Sequence, residues 1–167
     1  VNNSLTKSLS VTTAIFAVVG SSYSLTSQQT QFSKQAIKAL EKKDYKSYYY
    51  LKSKLKDTSI YPYLQYKEIS IDPENFKQAT IDNYISKNKD SYWTGQLKDD
   101  LATYYAGKDN WKLFNQYYNN DLGVSGKCWA MQSQYERGNK AKVLDDYGQL
   151  WQNRVYMPSS CDGMQKL

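Results

Sequence analysis

The stretch DTSIYPYLQYKEIS, residues 57–70, places aromatic and apolar side chains densely around one proline. Pro62 suits the first turn of a helix, where the missing backbone N–H costs nothing, so the stretch predicts a helix that begins just before it. That helix is apolar on several sides, because Leu64, Tyr66 and Ile69 do not share one face. Such a helix needs several neighbours, which predicts an inner position in a stack of helices.

Apolar residues keep a helical spacing of three and four along the chain after residue 30. No segment alternates between apolar and polar residues over the length of a strand, so the sequence predicts an all-α protein. The clearest examples are Trp93, Leu97, Leu101 and Tyr104, then Trp111, Phe114 and Tyr118, then Cys128, Met131 and Tyr135, then Leu144, Tyr147 and Trp151.

The breaks between the helical segments recur at a regular interval. They carry Asp44, Asn75, Asp109 and Asn139, which lie 31, 34 and 30 residues apart. Asp and Asn are common helix N-caps, and two of these breaks also contain a glycine that can end a helix. Helix–turn–helix units at such a period predict an α-superhelix, a solenoid of stacked helical hairpins that is TPR-like in appearance. Eight short helices in four hairpins fit residues 31–156.

Composition narrows the chemistry that the chain can perform. The 167 residues suit one domain and contain no histidine, so the commonest general base and the commonest metal ligand are missing. The formal net charge is +6, and its lysines are spread along the chain. Nucleic-acid binding favours a clustered basic stripe, so we expect no nucleic-acid partner. No cofactor or metal site is expected, and nothing in the sequence specifies an oligomeric state.

The N-terminus is typical of a secretory signal. Lys7 precedes the apolar run VTTAIFAVVG at 11–20, which is too short to span a bilayer. Small residues follow, and we place cleavage after Ser24. A buried core helix is the alternative, disfavoured by Thr12 and Thr13. The predicted organisation is a signal peptide over 1–24, a short linker over 25–30 and a helical domain over 31–167, with no stable membrane span after signal removal.

The two cysteines, Cys128 and Cys161, predict one disulfide in an exported chain. The bond would close a loop of 33 residues, and the chain-entropy estimate for such a loop is about 3.5–4 kcal/mol. A metal site lacks further soft ligands, and a thioredoxin-like redox site lacks the C-x-x-C spacing.

No catalytic residue is predicted. Glycosidic chemistry usually needs a positioned carboxylic acid. Of the four glutamates only Glu68 has apolar surroundings, and a structural hydrogen bond or a place on an exposed helix face is favoured over catalysis there. The others are Glu41, Glu74 and Glu136. Exposed aromatics in YKSYYYLKSKL (45–55) and NQYYNN (115–120) are candidates for binding sugars or peptides, against core packing as the favoured alternative.

The segment SIYPYLQYKEI resembles YPYLEYR, found near the start of periplasmic soluble lytic murein transglycosylases. Two later segments also resemble that family: LATYYAGKDNWKLFNQYY, which carries Trp111, and the cysteine hairpin KCWAMQSQYERGNKAKV with the following PSSCD. The resemblance extends from about Phe32 to Leu167. The matching residues of the first segment are Tyr61, Pro62, Tyr63, Leu64 and Tyr66, with Lys67 in place of arginine.

The resemblance implies the start of a long U-shaped helical superhelix that serves as scaffold for a periplasmic, peptidoglycan-cleaving enzyme of cell-wall turnover. The family's catalytic domain lies far downstream, and its acid/base is a glutamate followed by serine. The four glutamates here are followed by Lys, Ile, Asn and Arg. We therefore carry over no catalytic residue, and we expect the chain alone to be inactive and to meet peptidoglycan through the full-length enzyme. The alternative is a free-standing periplasmic TPR-like adaptor that binds peptides or proteins.

Overall fold

The computed structural model describes residues 24–153 and 156–166, so most of the predicted signal peptide lies outside the described residues. Within these two ranges the chain forms helices and turns and no strand, which confirms the predicted all-α class. The helices are α1 Ser27–Glu41, α2 Tyr45–Ser53, α3 Tyr61–Ile71, α4 Gln78–Lys87, α5 Tyr92–Ala106, α6 Trp111–Tyr117, α7 Gly123–Glu136, α8 Lys140–Gln152 and α9 Asp162–Gln165, with 3-10 turns at Pro73–Asn75 and Ser159–Cys161.

Helix α1 begins at Ser27, within the stretch predicted as a linker. Thr26 caps it, because its side-chain oxygen accepts a hydrogen bond from the Gln29 backbone N–H at 3.2 Å. The Gln29 side chain in turn accepts one from the Thr26 backbone N–H at 2.9 Å. This reciprocal capping box satisfies two backbone donors that would otherwise lack partners. The predicted linker over 25–30 is therefore wrong from Ser27 onward.

The helix breaks follow the predicted turn chemistry only in part, because Asp44 alone of the four predicted residues caps a helix through its side chain. Asp44 caps α2 and accepts a hydrogen bond from a backbone N–H of its first turn at 3.1 Å. A hydrogen bond from the Ser47 side chain, and after it this backbone hydrogen bond, lowers the pKa of the Asp44 carboxyl. At the break before α6, Asp109 takes a left-handed conformation with φ 53°, and Asn110 caps the helix instead. Asn139 precedes α8 without a side-chain capping bond.

The described residues fall into two compact units, divided between Leu64 and Gln65 within α3. In the first unit α1 packs against α2. The Tyr48 side chain is fully buried there, and its hydroxyl donates a hydrogen bond to the Leu64 carbonyl oxygen at 2.8 Å. The core of this unit consists of Ala36, Ala39, Leu40, Tyr48, Leu51, Leu55, Ile60, Tyr63 and Leu64.

In the second unit α5 packs against α6, and α7 packs against α8. Between α3 and α4 lie a 3-10 turn, which begins at Pro73 after Asp72, and the extended residue Phe76. Gly126 allows the close approach of α7 to the Tyr118 ring, which a β-carbon at position 126 would meet at 2.6 Å. The buried residues are centred on Ile81, Leu97, Leu101, Phe114, Cys128, Val143 and Met164.

The inward face of α8 differs from the predicted one. Val143 is fully buried, while Leu144 and Trp151, which the spacing placed on the core face, are 41% and 51% exposed. The buried hydroxyl oxygen of Tyr147 shares the side of Val143, since these two residues are four apart. The core face of α8 is therefore turned by one residue, and two large apolar side chains remain on the surface.

Candidate functional site

The tyrosine–proline segment of α3 is occupied with packing. Tyr63, Leu64 and Tyr66 are at most 4% exposed, while Tyr61 and Pro62 are half-buried. Burial raises the pKa of the Tyr63 hydroxyl, and the nearby Glu41 carboxylate raises it further. A phenol in this setting stays neutral across the physiological range. These side chains therefore offer little surface to a ligand.

The C-terminal half of α3 is tied to α5 by stacking and hydrogen bonds. The rings of Tyr66 and Trp93 stack with centroids 5.3 Å apart. The Asp100 carboxylate accepts hydrogen bonds from the Tyr66 hydroxyl at 3.0 Å and from the Ser70 hydroxyl at 2.5 Å. Trp111, the remaining motif residue, opens α6 half-buried with its ring edge-on to Phe114 at 6.0 Å. The segments that carry the family resemblance are thus structural elements.

The four glutamates differ in burial, with one buried and three exposed. Glu68 is 5% exposed in the middle of α3, so its carboxyl cannot reach a glycosidic oxygen. Glu41, Glu74 and Glu136 are exposed, and Glu74 accepts a hydrogen bond from the Tyr104 hydroxyl at 2.8 Å. Across residues 24–153 and 156–166 no group of acidic, cysteine or histidine side chains could hold a metal ion. The absence of a catalytic residue and of a metal site stays a prediction from the sequence.

Cys128 and Cys161 are bonded to each other, with their Cα atoms 5.0 Å apart. Both are fully buried, one in α7 and the other at the end of the second 3-10 turn. The Gln132 side-chain amide adds a hydrogen bond to the Ser160 carbonyl oxygen at 2.8 Å. The disulfide and this hydrogen bond together hold the segment after α8 against α7. The sequence predicted the disulfide between these two cysteines.

A shallow groove of about 420 Å³ lies at the N-terminal end of α5. Its lining includes Lys89, Ser91, Gly95, Asp99 and Asn119. One carboxylate oxygen of Asp99 is buried there without a hydrogen-bond partner. Burial raises the pKa of the Asp99 carboxyl, and the Asp121 and Asp100 carboxylates raise it further. The groove is open to solvent. The negative charges of Asp121 and Asp100 make the ionised form of Asp99 unfavourable.

A second surface lies on α2 and combines lysine with exposed tyrosine. Tyr49 and Tyr50 are 52% and 63% exposed, and Lys46 and Lys54 are exposed beside them. The Lys54 ammonium lies 5.2 Å from the centre of the Tyr50 ring. We call these four residues the lysine–tyrosine face. Residues 45–55 were a candidate aromatic stretch, and the structure buries Tyr48 while leaving these two tyrosines exposed.

The charge of this region was missed by counting lysines over the whole chain. Residues 42–56 contain six lysines and one acidic residue, a net charge of +5 against +6 for all 167 residues. Lysines elsewhere are nearly balanced by acidic residues. The lysines are spread along the chain as expected, but the net positive charge is not. Summing lysine, arginine, aspartate and glutamate charges over short windows of the sequence would have located the excess at residues 42–56.

The described residues form an all-helical fold, and comparison with known proteins places that fold among relatives. The chain is similar to soluble lytic murein transglycosylases of Escherichia coli strains K12 and O157:H7, each 23% identical over 109 residues that cover 65% of this chain. The chain spans only 17% of the length of these relatives. No protein-family model matches the chain.

Two solved structures share the fold. The lytic transglycosylase Slt of Pseudomonas aeruginosa, solved as an inactive mutant, matches with a TM-score of 0.64 and 27% identity over 78% of this chain and 22% of that one. A 70-kDa soluble lytic transglycosylase in complex with bulgecin A matches with a TM-score of 0.67 and 19% identity over 86% of this chain and 23% of the other. These matches confirm the predicted α-superhelical class and the predicted resemblance to the helical part of these enzymes.

The relatives are murein enzymes by name. In the part of the chain that the structure describes, no helix is both long and apolar enough to cross a membrane.

Proposed function

We propose that the chain is the N-terminal helical scaffold of a soluble lytic murein transglycosylase, a peptidoglycan-cleaving enzyme of cell-wall turnover. One observation carries this proposal: relatives of that name match 109 residues in sequence, and a solved lytic transglycosylase matches 78% of the chain in structure. Because the chain corresponds to less than a quarter of either, it supplies architecture to the enzyme. Peptidoglycan is its partner through the complete protein.

The side chains of the described residues support a role without chemistry. Glu68 is buried, and the other three glutamates are exposed, whereas glycosidic chemistry usually uses a positioned pair of carboxyl groups. The acid that protonates the glycosidic oxygen then belongs to the catalytic domain of the complete enzyme. The scaffold positions that domain and the glycan.

The proposed location is the periplasm. A buried disulfide between Cys128 and Cys161 suits an oxidising compartment. Residues 1–24 act as the signal peptide, and α1 begins at Ser27, only two residues being left between the cleavage site after Ser24 and the helix. The mature chain then starts almost directly with its folded part.

The proposal is tested on purified peptidoglycan sacculi. We expect the purified chain to release no 1,6-anhydromuropeptides, measured by chromatography and mass spectrometry, because it has no Glu-Ser acid site. The matched comparison is a protein that extends the same reading frame into a Glu-Ser domain, which should release them. Anhydro products from the chain alone, free of contaminating lytic enzymes, would contradict the assignment of the chemistry to another domain.

The coding sequence beyond Leu167 discriminates the alternative function. A downstream Glu-Ser domain in frame supports the scaffold of a transglycosylase. A stop codon would favour the free-standing periplasmic adaptor that binds peptides or proteins.

A further inference from the structure

At least half of the net charge of this protein lies on one short helix and its flanking turns. Residues 42–56 carry +5, and the neighbouring Glu41 and Asp57 still leave +3 over residues 41–57. The one acidic side chain inside the segment, Asp44, is engaged in capping α2. Lys46 and Lys54 are exposed. The segment therefore presents a concentrated positive surface to water.

The same helix exposes flat aromatic rings among these cations. Lys46, Tyr50 and Lys54 lie four residues apart in sequence, which aligns them along one side of α2. Tyr49 lies next to this row, and its ring contacts the Tyr45 ring with centroids 6.3 Å apart. The opposite side of α2 is buried through Tyr48 and Leu51. The lysine–tyrosine face is thus a fixed outer surface, because the helix that carries it is anchored from behind.

Tyr49 and Tyr50 are each more than half exposed, so their rings are available to a ligand. A tyrosine ring offers an apolar face and a polar edge, which suits the C–H face and the hydroxyls of a pyranose. Lysine ammonium groups complement carboxylates. A polymer that alternates sugar rings with carboxylate groups matches both features at once.

We propose that the lysine–tyrosine face is a direct contact site for peptidoglycan, with the tyrosines against sugar rings and the lysines against carboxylates of the lactyl-linked peptides. This inference rests on the proposed function, since it takes peptidoglycan as the partner. It adds that the scaffold itself binds the glycan, and that charge drives the binding. Salt weakens the interaction, because exposed charges are screened within a few ångströms at high ionic strength.

The test is cosedimentation of the purified protein with peptidoglycan sacculi. The variant Lys46→Gln/Tyr50→Ala/Lys54→Gln removes two charges and one ring from the face. We expect its dissociation constant to rise about tenfold or more, since each exposed charged contact contributes up to about fivefold. A second variant, Lys54→Glu, reverses one charge and leaves the tyrosines in place, and it should also bind more weakly. Thermal melts of both should overlay the parent melt.

The matched control is Lys112→Gln/Lys127→Gln/Tyr156→Ala, which removes the same charges and one exposed ring from other positions. We expect its binding to stay within about twofold of the parent. Chitin, a neutral polymer of related sugars, should bind the parent more weakly than sacculi do, and 0.5 M salt should release the protein from sacculi.

Other results would overturn the inference. Equal binding by the parent and both face variants would place the contact elsewhere on the scaffold and leave the proposed function intact. Equal loss in the control variant would reduce the effect to overall charge. Displacement by double-stranded DNA at lower concentrations than by soluble peptidoglycan fragments would identify a nucleic-acid surface. No binding of the parent to sacculi would also refute the contact, and the coding sequence beyond Leu167 then decides the proposed function independently.

Discussion

Replacing Leu64 by alanine tests whether the tyrosine–proline segment is a packing element. Leu64 is fully buried, so the change removes about three carbon atoms from the core. At about 0.8 kcal/mol for each methylene group, the lost transfer free energy is about 2.4 kcal/mol. The cavity left behind raises the total to about 2–5 kcal/mol. We expect this decrease in the free energy of unfolding from urea denaturation followed by circular dichroism.

The chain offers a matched control in Leu144, which is 41% exposed on α8. Leu144→Ala removes the same atoms from the surface and should change the free energy of unfolding by less than about 0.5 kcal/mol. The reasoning would be refuted if the Leu64→Ala curve overlaid the parent curve while binding to sacculi weakened. That pair of results would make the segment a ligand surface.

Two further predictions concern groups of the second unit. Replacing both Cys128 and Cys161 by serine should lower the free energy of unfolding by about 3.5–4 kcal/mol, and a reductant should shift the parent melt but not that of the double variant. Asp99→Asn should raise the melting temperature at pH 7, because Asp99 is buried beside Asp121, which raises its pKa, and the charged form therefore destabilises the folded state. The gain should shrink as the pH falls through the raised pKa, because the wild-type carboxyl then takes up its proton in the folded state. The control is Asp90→Asn, an exposed change in the same groove, which should not raise the melting temperature. A gain for Asp99→Asn that persists at low pH would contradict this cause.

The helices were predictable where local chemistry decides them. Pro62 marks the start of α3 because its ring permits only the first turn of a helix, and Asp44 marks the start of α2 because its carboxylate can cap it. The start of α1 was missed although its capping box is written in Thr26 and Gln29. Those residues follow an apparent signal peptide, and the stretch was assigned to a linker on position alone.

The orientation of α8 was not predictable in this way. Val143 and Leu144 are adjacent and similarly apolar. Tyr147 lies four residues after one and three after the other, so a helical spacing allows either of them to face the core. The neighbouring α7 decides between them, and that contact is not encoded in the local period. The lysine–tyrosine face was hidden for a related reason: the lysine count is uniform, and only the local lack of acidic residues distinguishes residues 42–56.

The disulfide also determines how mechanical tension passes through the second unit. Tension applied to the chain beyond Cys161 enters α7 directly at Cys128, because the covalent bond joins the two residues. Helix α8 lies between them in sequence and is bypassed by that force. A protease that cuts the chain between α8 and Cys161 would likewise leave the two pieces covalently joined. Helix α8 can therefore unfold and refold without lengthening the path that carries the force.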